Sequence, residues 1–119
     1  KNLNDALYRA ESYSKAGADL ILIHSKQDTP KEIFLFSKEF KKSRFFKPLV
    51  AVPSTYSKVK EKELIENGFK VVIYANHLLR AAYPAMEKVA LSILKNTRSS
   101  EAEKEIITIK KILNMIPSN

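Results

Sequence analysis

Apolar residues fall into two alternating kinds of pattern along this chain. Leu3, Ala6, Leu7, Ala10 and Tyr13 recur at helical spacing behind Asn2 or Asn4 as caps, and the pattern stops at Gly17, a residue that tolerates a left-handed helix end. The run 19–23 that follows is short and continuously apolar beyond Asp19, as in a strand covered on both faces. Thr29, Pro30 and Glu32 then supply a cap, a proline at the first helical position and a capping-box glutamate, which predicts a helix over 30–40. Residues 48–53 form a second buried strand bounded by prolines. A helix over 59–67 ends at Gly68, and 70–75 form a third buried strand.

The two glycine corners, 16–23 and 67–74, each turn a helix into a strand, so the chain is built of repeating units. Beyond Asn76 the pattern lengthens into a helix over 78–94, with Leu79, Ala82, Met86, Val89, Ala90 and Ile93 on one stripe and Pro84 as a bend point. Residues 97–100 break it. Ser100 with Glu103 predicts another capping box, and Ile106, Ile109, Ile112, Leu113 and Ile116 a final amphipathic helix. Alternating helices and buried strands predict an α/β fold with a parallel sheet and right-handed crossovers. Three parallel strands leave two unpaired edges, so the sheet reads as an unfinished segment of a larger one, such as a barrel. Residues 1–119 are taken as one segment.

Composition narrows the classes. A chain of 119 residues, 45% hydrophobic and 29% charged, suffices for one domain with a core. The absence of cysteine excludes a disulfide scaffold and Cys-ligated zinc, and fits a cytoplasmic location. No apolar run reaches the roughly 20 residues of a membrane span, so no membrane partner is expected. The net charge of +8 raises nucleic acid as a partner, with the densest basic run at 38–47, but lysines at a helix end explain that run more simply. Phe40, Phe45 and Phe46 in that run serve better as core than as stacking platforms. No nucleic-acid partner is therefore expected, and the basic balance suits a small anionic metabolite.

Candidate chemistry gathers where strands end, because in parallel α/β folds sites form at the carboxyl ends of the strands. His24 can act there as acid, base or donor to an anion, or simply sit as a hydrogen-bonded loop histidine. Ser25 can line a site or start a turn, and Lys26 is solvent-exposed unless its loop folds over a ligand. Asn76 and His77 follow the third strand, where Asn76 can equally cap the next helix. Arg80, one turn on, can meet an anion or cover apolar surface. Paired strand-end carboxylates, a Gly-rich phosphate loop, a His-x-x-x-His pair and a Gly-x-Ser-x-Gly elbow are all missing, so no catalytic or metal-ligating residue is assigned.

Three stretches carry a resemblance. Ala-Glu-Ser-Tyr at 10–13 with Ala-Gly-Ala-Asp-Leu-Ile-Leu-Ile-His-Ser-Lys at 16–26, Pro-Leu-Val-Ala-Val-Pro-Ser-Thr-Tyr at 48–56, and Val-Ile-Tyr-Ala-Asn-His-Leu-Leu-Arg-Ala at 72–81 closely resemble the isocitrate lyase and phosphoenolpyruvate mutase superfamily, and within it the mutases. The resemblance implies a partial (β/α)8 TIM-type barrel: its carboxyl-terminal three parallel strands with flanking helices and a helical extension. It implies an enzyme interconverting phosphoenolpyruvate and phosphonopyruvate in phosphonate biosynthesis with Mg2+, and a homo-oligomer that exchanges its last helix. His24 would contact the substrate near its phosphoryl group, with Ser25, Lys26, Asn76 and Arg80 as weaker substrate-binding candidates. The family's metal ligands, gating loop and phosphoryl-binding arginine would precede Lys1, so the isolated chain is expected to be inactive. Phosphonopyruvate hydrolase is the alternative enzyme, and a non-catalytic interaction module the alternative from another class.

Overall fold

Three parallel strands, β1 (Ile21–Leu22), β2 (Leu49–Ala51) and β3 (Phe69–Val72), form a sheet in chain order in the computed structural model, which describes residues 2–115. Around them lie the helices α1 (Leu3–Lys15), α2 (Lys31–Phe40) and α3 (Glu61–Glu66). These elements make one compact unit that ends at Ala75. Ladder bonds continue past the strand ends: the Ile21 amide donates to the Pro48 carbonyl at 3.0 Å, Ile23 to Val50 at 3.3 Å and Ile73 to Ala51 at 2.9 Å.

Asn2 caps α1, its side-chain oxygen accepting from the Asp5 amide at 3.0 Å. At the other end Gly17 takes φ +102°, and two bonds close the helix: Gly17 N–H to the Ser14 carbonyl and Ala18 N–H to the Tyr13 carbonyl, at 3.2 and 3.0 Å. That pair of reversed bonds is a Schellman motif, and it satisfies carbonyls the helix leaves open. Gly68 repeats the left-handed geometry at φ +90° after α3, its amide donating to Ile65 at 2.9 Å.

The strand register explains the core. Ile21, Leu49 and Phe69 are cross-strand partners, and all three are buried together with Ile33, Phe36 and Phe40 of α2 and Leu64 of α3. Phe40 stacks on Phe36 with ring centroids 5.4 Å apart and meets Phe46 at 5.5 Å. The next row, Leu22, Val50 and Val71, points to the other side of the pleat. There Leu22 is 53% and Val71 37% exposed, while the central Val50 is 6% exposed. Between Leu49 and Val50 the β2–β3 register slips by one residue, so Lys70 stands as the extra residue of β3.

Three local expectations need correction. The Thr29 to Glu32 capping box does not form: Pro30 occupies the cap position of α2 without a side-chain bond, and the Glu32 carboxylate is engaged by Ser25. Neither the first nor the third strand is covered on both faces, since Leu20 and Leu22 are exposed in the run 19–23 and only Phe69 within the third is fully buried. Phe46 is 37% exposed and Phe45 half-buried, with the cations of Lys15 and Arg44 at 4.5 and 4.7 Å from the Phe45 ring centre.

The second unit begins at Asn76. Its long helix α4 (His77–Asn96) carries Pro84 within it and ends at Thr97, whose φ of 53° supplies a left-handed stop without glycine. A 3-10 turn (Ala102–Glu105) follows, tied to α4 by the Lys88 ammonium on the Glu105 carboxylate at 2.6 Å. Here too the Ser100–Glu103 capping box does not form, because the cap position falls on Glu101 and the Ser99 carbonyl receives the amides of Ala102 and Glu103. The final helix is shorter than its aliphatic pattern predicts. Ile106 is extended, and α5 (Ile109–Leu113) starts behind Thr108, whose hydroxyl accepts from the Lys111 amide at 3.3 Å. The adjoining β-branched Ile106, Ile107 and Thr108 disfavour an earlier start. Ile116 lies outside the described residues.

Candidate functional site at the carboxyl ends of β1 and β2

Two strands that run parallel and pair as neighbours deliver their following loops to the same end of the sheet. The loop after β1 carries His24, Ser25 and Lys26; the loop after β2 carries Ser54, Thr55 and Tyr56. His24 and Lys26 are exposed, whereas Ser25 between them is only 5% exposed. The chain thus turns one polar residue inward and presents its two basic neighbours to solvent.

Every polar group of Ser25 that the structure shows bonded is used to hold this turn. Its hydroxyl donates to the Glu32 carboxylate at the start of α2 and accepts from the Gln27 amide at 3.0 Å. Its carbonyl accepts from the Thr55 hydroxyl at 2.7 Å. One residue further on, Tyr56 is completely buried, and its ring lies 6.0 Å from the His24 imidazole at 41°. The Tyr56 hydroxyl is buried without a hydrogen-bond partner of good geometry. Burial pushes the phenol above its ordinary range, and the nearby Val52 backbone offsets part of that rise.

His24, Ser25 and Lys26 thus follow one another in the loop after β1, with Ser25 bonded into the scaffold and the side chains of His24 and Lys26 exposed. Asn76 and Arg80 open the second unit: Asn76 occupies the cap position of α4 without a side-chain cap bond, and its carbonyl accepts from the Arg80 amide at 3.0 Å. Arg80 is exposed. Glu32, Thr55 and Tyr56 did not stand out in the sequence as site residues. Their signal was the Ser-Thr-Tyr run closing the second strand and a carboxylate in the first turn of the helix after the first strand. Among the described residues no group of three His, Asp or Glu side chains lies close enough to hold a metal ion, and no helix is long and apolar enough to cross a membrane.

The chain matches known proteins over most of its length. The sequence profile of the family described as phosphoenolpyruvate phosphomutase covers residues 1–94. A phosphoenolpyruvate phosphomutase from Tetrahymena pyriformis is 36% identical over 95% of this chain and 37% of its own length. A phosphonopyruvate hydrolase from Variovorax sp. (strain Pal2) is also 36% identical, over 93% of this chain and 38% of its own length. Among solved structures, a phosphoenolpyruvate phosphomutase from Streptomyces platensis subsp. rosaceus superposes with a TM-score of 0.83 at 36% identity, covering 96% of this chain and 39% of that one. The chain thus spans well under half the length of these relatives. Its three parallel strands and their helices correspond to part of the TIM barrel of those proteins. On its profile match, its relatives and its fold, the chain belongs to the phosphoenolpyruvate phosphomutase family.

Proposed function

We propose that this chain is the carboxyl-terminal barrel segment of a longer enzyme that interconverts phosphoenolpyruvate and phosphonopyruvate, and that its exposed strand-end histidine helps bind the substrate's phosphoryl group. The observation that carries the reading is the presentation of His24: an exposed imidazole at the end of β1, packed against a buried ring and rooted by a serine bonded on three sides. An imidazole N–H so placed can donate to a phosphoryl oxygen, and positioned donors are worth most where charge builds during reaction. Lys26 adds positive charge beside it, while Asn76 and Arg80 remain secondary substrate-binding candidates.

A phosphonopyruvate hydrolase structure, similar to this chain at 35% identity and a TM-score of 0.81, is a complex with oxalate and Mg2+. Magnesium is accordingly the proposed cofactor, to stabilise enolate and phosphoryl charge when bound. The described residues do not by themselves make its site, so its ligands would come from the rest of the barrel. An isolated segment would then be inactive. We place the whole enzyme in the cytoplasm as a homo-oligomer.

The test is phosphorus NMR of phosphonopyruvate incubated with Mg2+ and the full-length protein. A phosphate-ester signal from phosphoenolpyruvate supports the mutase, and inorganic phosphate alone replaces it with hydrolysis, the second reading, which the equally similar Variovorax relative favours. Neither product would overturn both. His24→Gln should lower turnover by about a hundredfold to a thousandfold, the usual cost of deleting one preorganised donor, with no loss of fold by circular dichroism. Turnover equal to wild type would reduce His24 to scaffold.

A further inference from the structure

Ser25 is held from three directions, and two of the groups holding it come from outside its own loop. Glu32 belongs to α2, seven positions along the chain, and Thr55 to the loop after β2, thirty positions along. Both side chains are exposed and contribute nothing to the core, yet both end on the one buried residue of the His24–Lys26 turn. A serine needed only to begin a turn would be satisfied by the Gln27 amide alone. Two further bonds to separate elements over-determine the backbone beside His24, as a ligand-contacting side chain requires of its support.

We propose that Glu32 and Thr55 are positioning residues: through Ser25 they fix the backbone that carries His24, and so set where its imidazole meets the anionic substrate. Glu32 does so through the hydroxyl and Thr55 through the carbonyl, so the two act on opposite sides of one residue. This rests on the functional reading of His24 given above and extends it to two side chains that touch no substrate.

The test uses the full-length protein with two pairs of variants. Glu32→Ala removes the acceptor and Glu32→Gln keeps one; Thr55→Val removes the hydroxyl at constant shape and Thr55→Ser restores it. Displacement of a positioned group by about 1 Å costs on the order of a hundredfold, so kcat for phosphonopyruvate should fall about tenfold to a hundredfold in Glu32→Ala and Thr55→Val. KM should move less than kcat, and Glu32→Gln and Thr55→Ser should regain most of the loss. The second readout is the His24 imidazole signal in carbon-proton NMR, assigned by its disappearance in His24→Gln. It should shift or broaden in the two deleting variants and return in the two conservative ones. Wild-type kcat with an unchanged His24 signal in both deleting variants would overturn the proposal, as would equal losses in the conservative variants. Should Glu32→Ala fail to fold, the Thr55 pair decides alone. Should the wild-type protein turn over neither to product nor to phosphate, the functional reading fails, and the His24 signal still decides whether Glu32 and Thr55 position it.

Discussion

Replacing Tyr56 by Phe removes one oxygen from the interior, and the structure predicts that the protein becomes more stable. The side chain is 0% exposed and its ring packs in the same cluster as Phe36, Phe40 and Leu64, so Phe would occupy the same space. What disappears is a buried hydroxyl without a well-formed hydrogen bond. Such a group costs about 1–3 kcal/mol in folded proteins. The Val52 backbone offsets some of it, as the two opposed influences on the phenol's pKa indicate. The expected gain is therefore toward the low end, about 1 kcal/mol. With a urea dependence of about 2 kcal/mol per molar for a chain of this size, the unfolding midpoint should rise by about 0.5 M. The assay is urea unfolding of variant and wild type in parallel, followed by far-ultraviolet circular dichroism. Tyr56→Ala serves as the contrast, since it also deletes the ring and should cost about 3–5 kcal/mol. A Tyr56→Phe protein destabilised by about 1 kcal/mol or more would refute the reasoning, because the hydroxyl would then be making a working bond.

The same residue carries a pH signature. Its folded pKa lies above the ordinary 10.0, so folding holds the proton more tightly than the unfolded chain does. Its contribution is complete below the unfolded value and is lost as pH rises through the folded one; Tyr56→Phe should flatten that alkaline decline in a melting series. The two glycine corners should respond differently to alanine. At Gly17 an added Cβ meets open space and only the left-handed backbone resists, for a cost of about 1–2 kcal/mol. At Gly68 it would also lie 2.4 Å from Lys41 Cε, so Gly68→Ala should melt lower than Gly17→Ala unless that lysine swings away; equal melting would show that it does.

The strands themselves and the helix-to-strand corners were legible because each is written locally: an apolar run, a glycine, a cap. Asn2 and Gly17 do what their residue types suggest. The site was legible only in part, for a reason visible in Glu32. Local spacing assigns it to a capping box, and only the folded chain brings Ser25 to it; likewise Thr55 meets Ser25 across thirty residues because parallel strands deliver their loops to one end. No short-range pattern encodes such a meeting. Residues 70–75 show the converse limit, since an apolar run predicts a strand with two apolar faces without saying what covers them.

The extra residue of β3 has a consequence for how this segment tolerates change in length. In an uninterrupted strand Phe69 and Val71 would share a face, and Val72 would oppose them. The slip at Lys70 instead pairs Phe69 with Leu49 and Val71 with Val50, residues on opposite faces of β2, and leaves Val72 packed against the core beside Ala51. Lys70 thus works as a phase correction in the strand's reading frame. Because the bulge absorbs Lys70, deleting that single codon would leave Val71 and Val72 opposite Val50 and Ala51 in plain alternation, whereas inserting one more residue beside it would turn the remainder of the strand over.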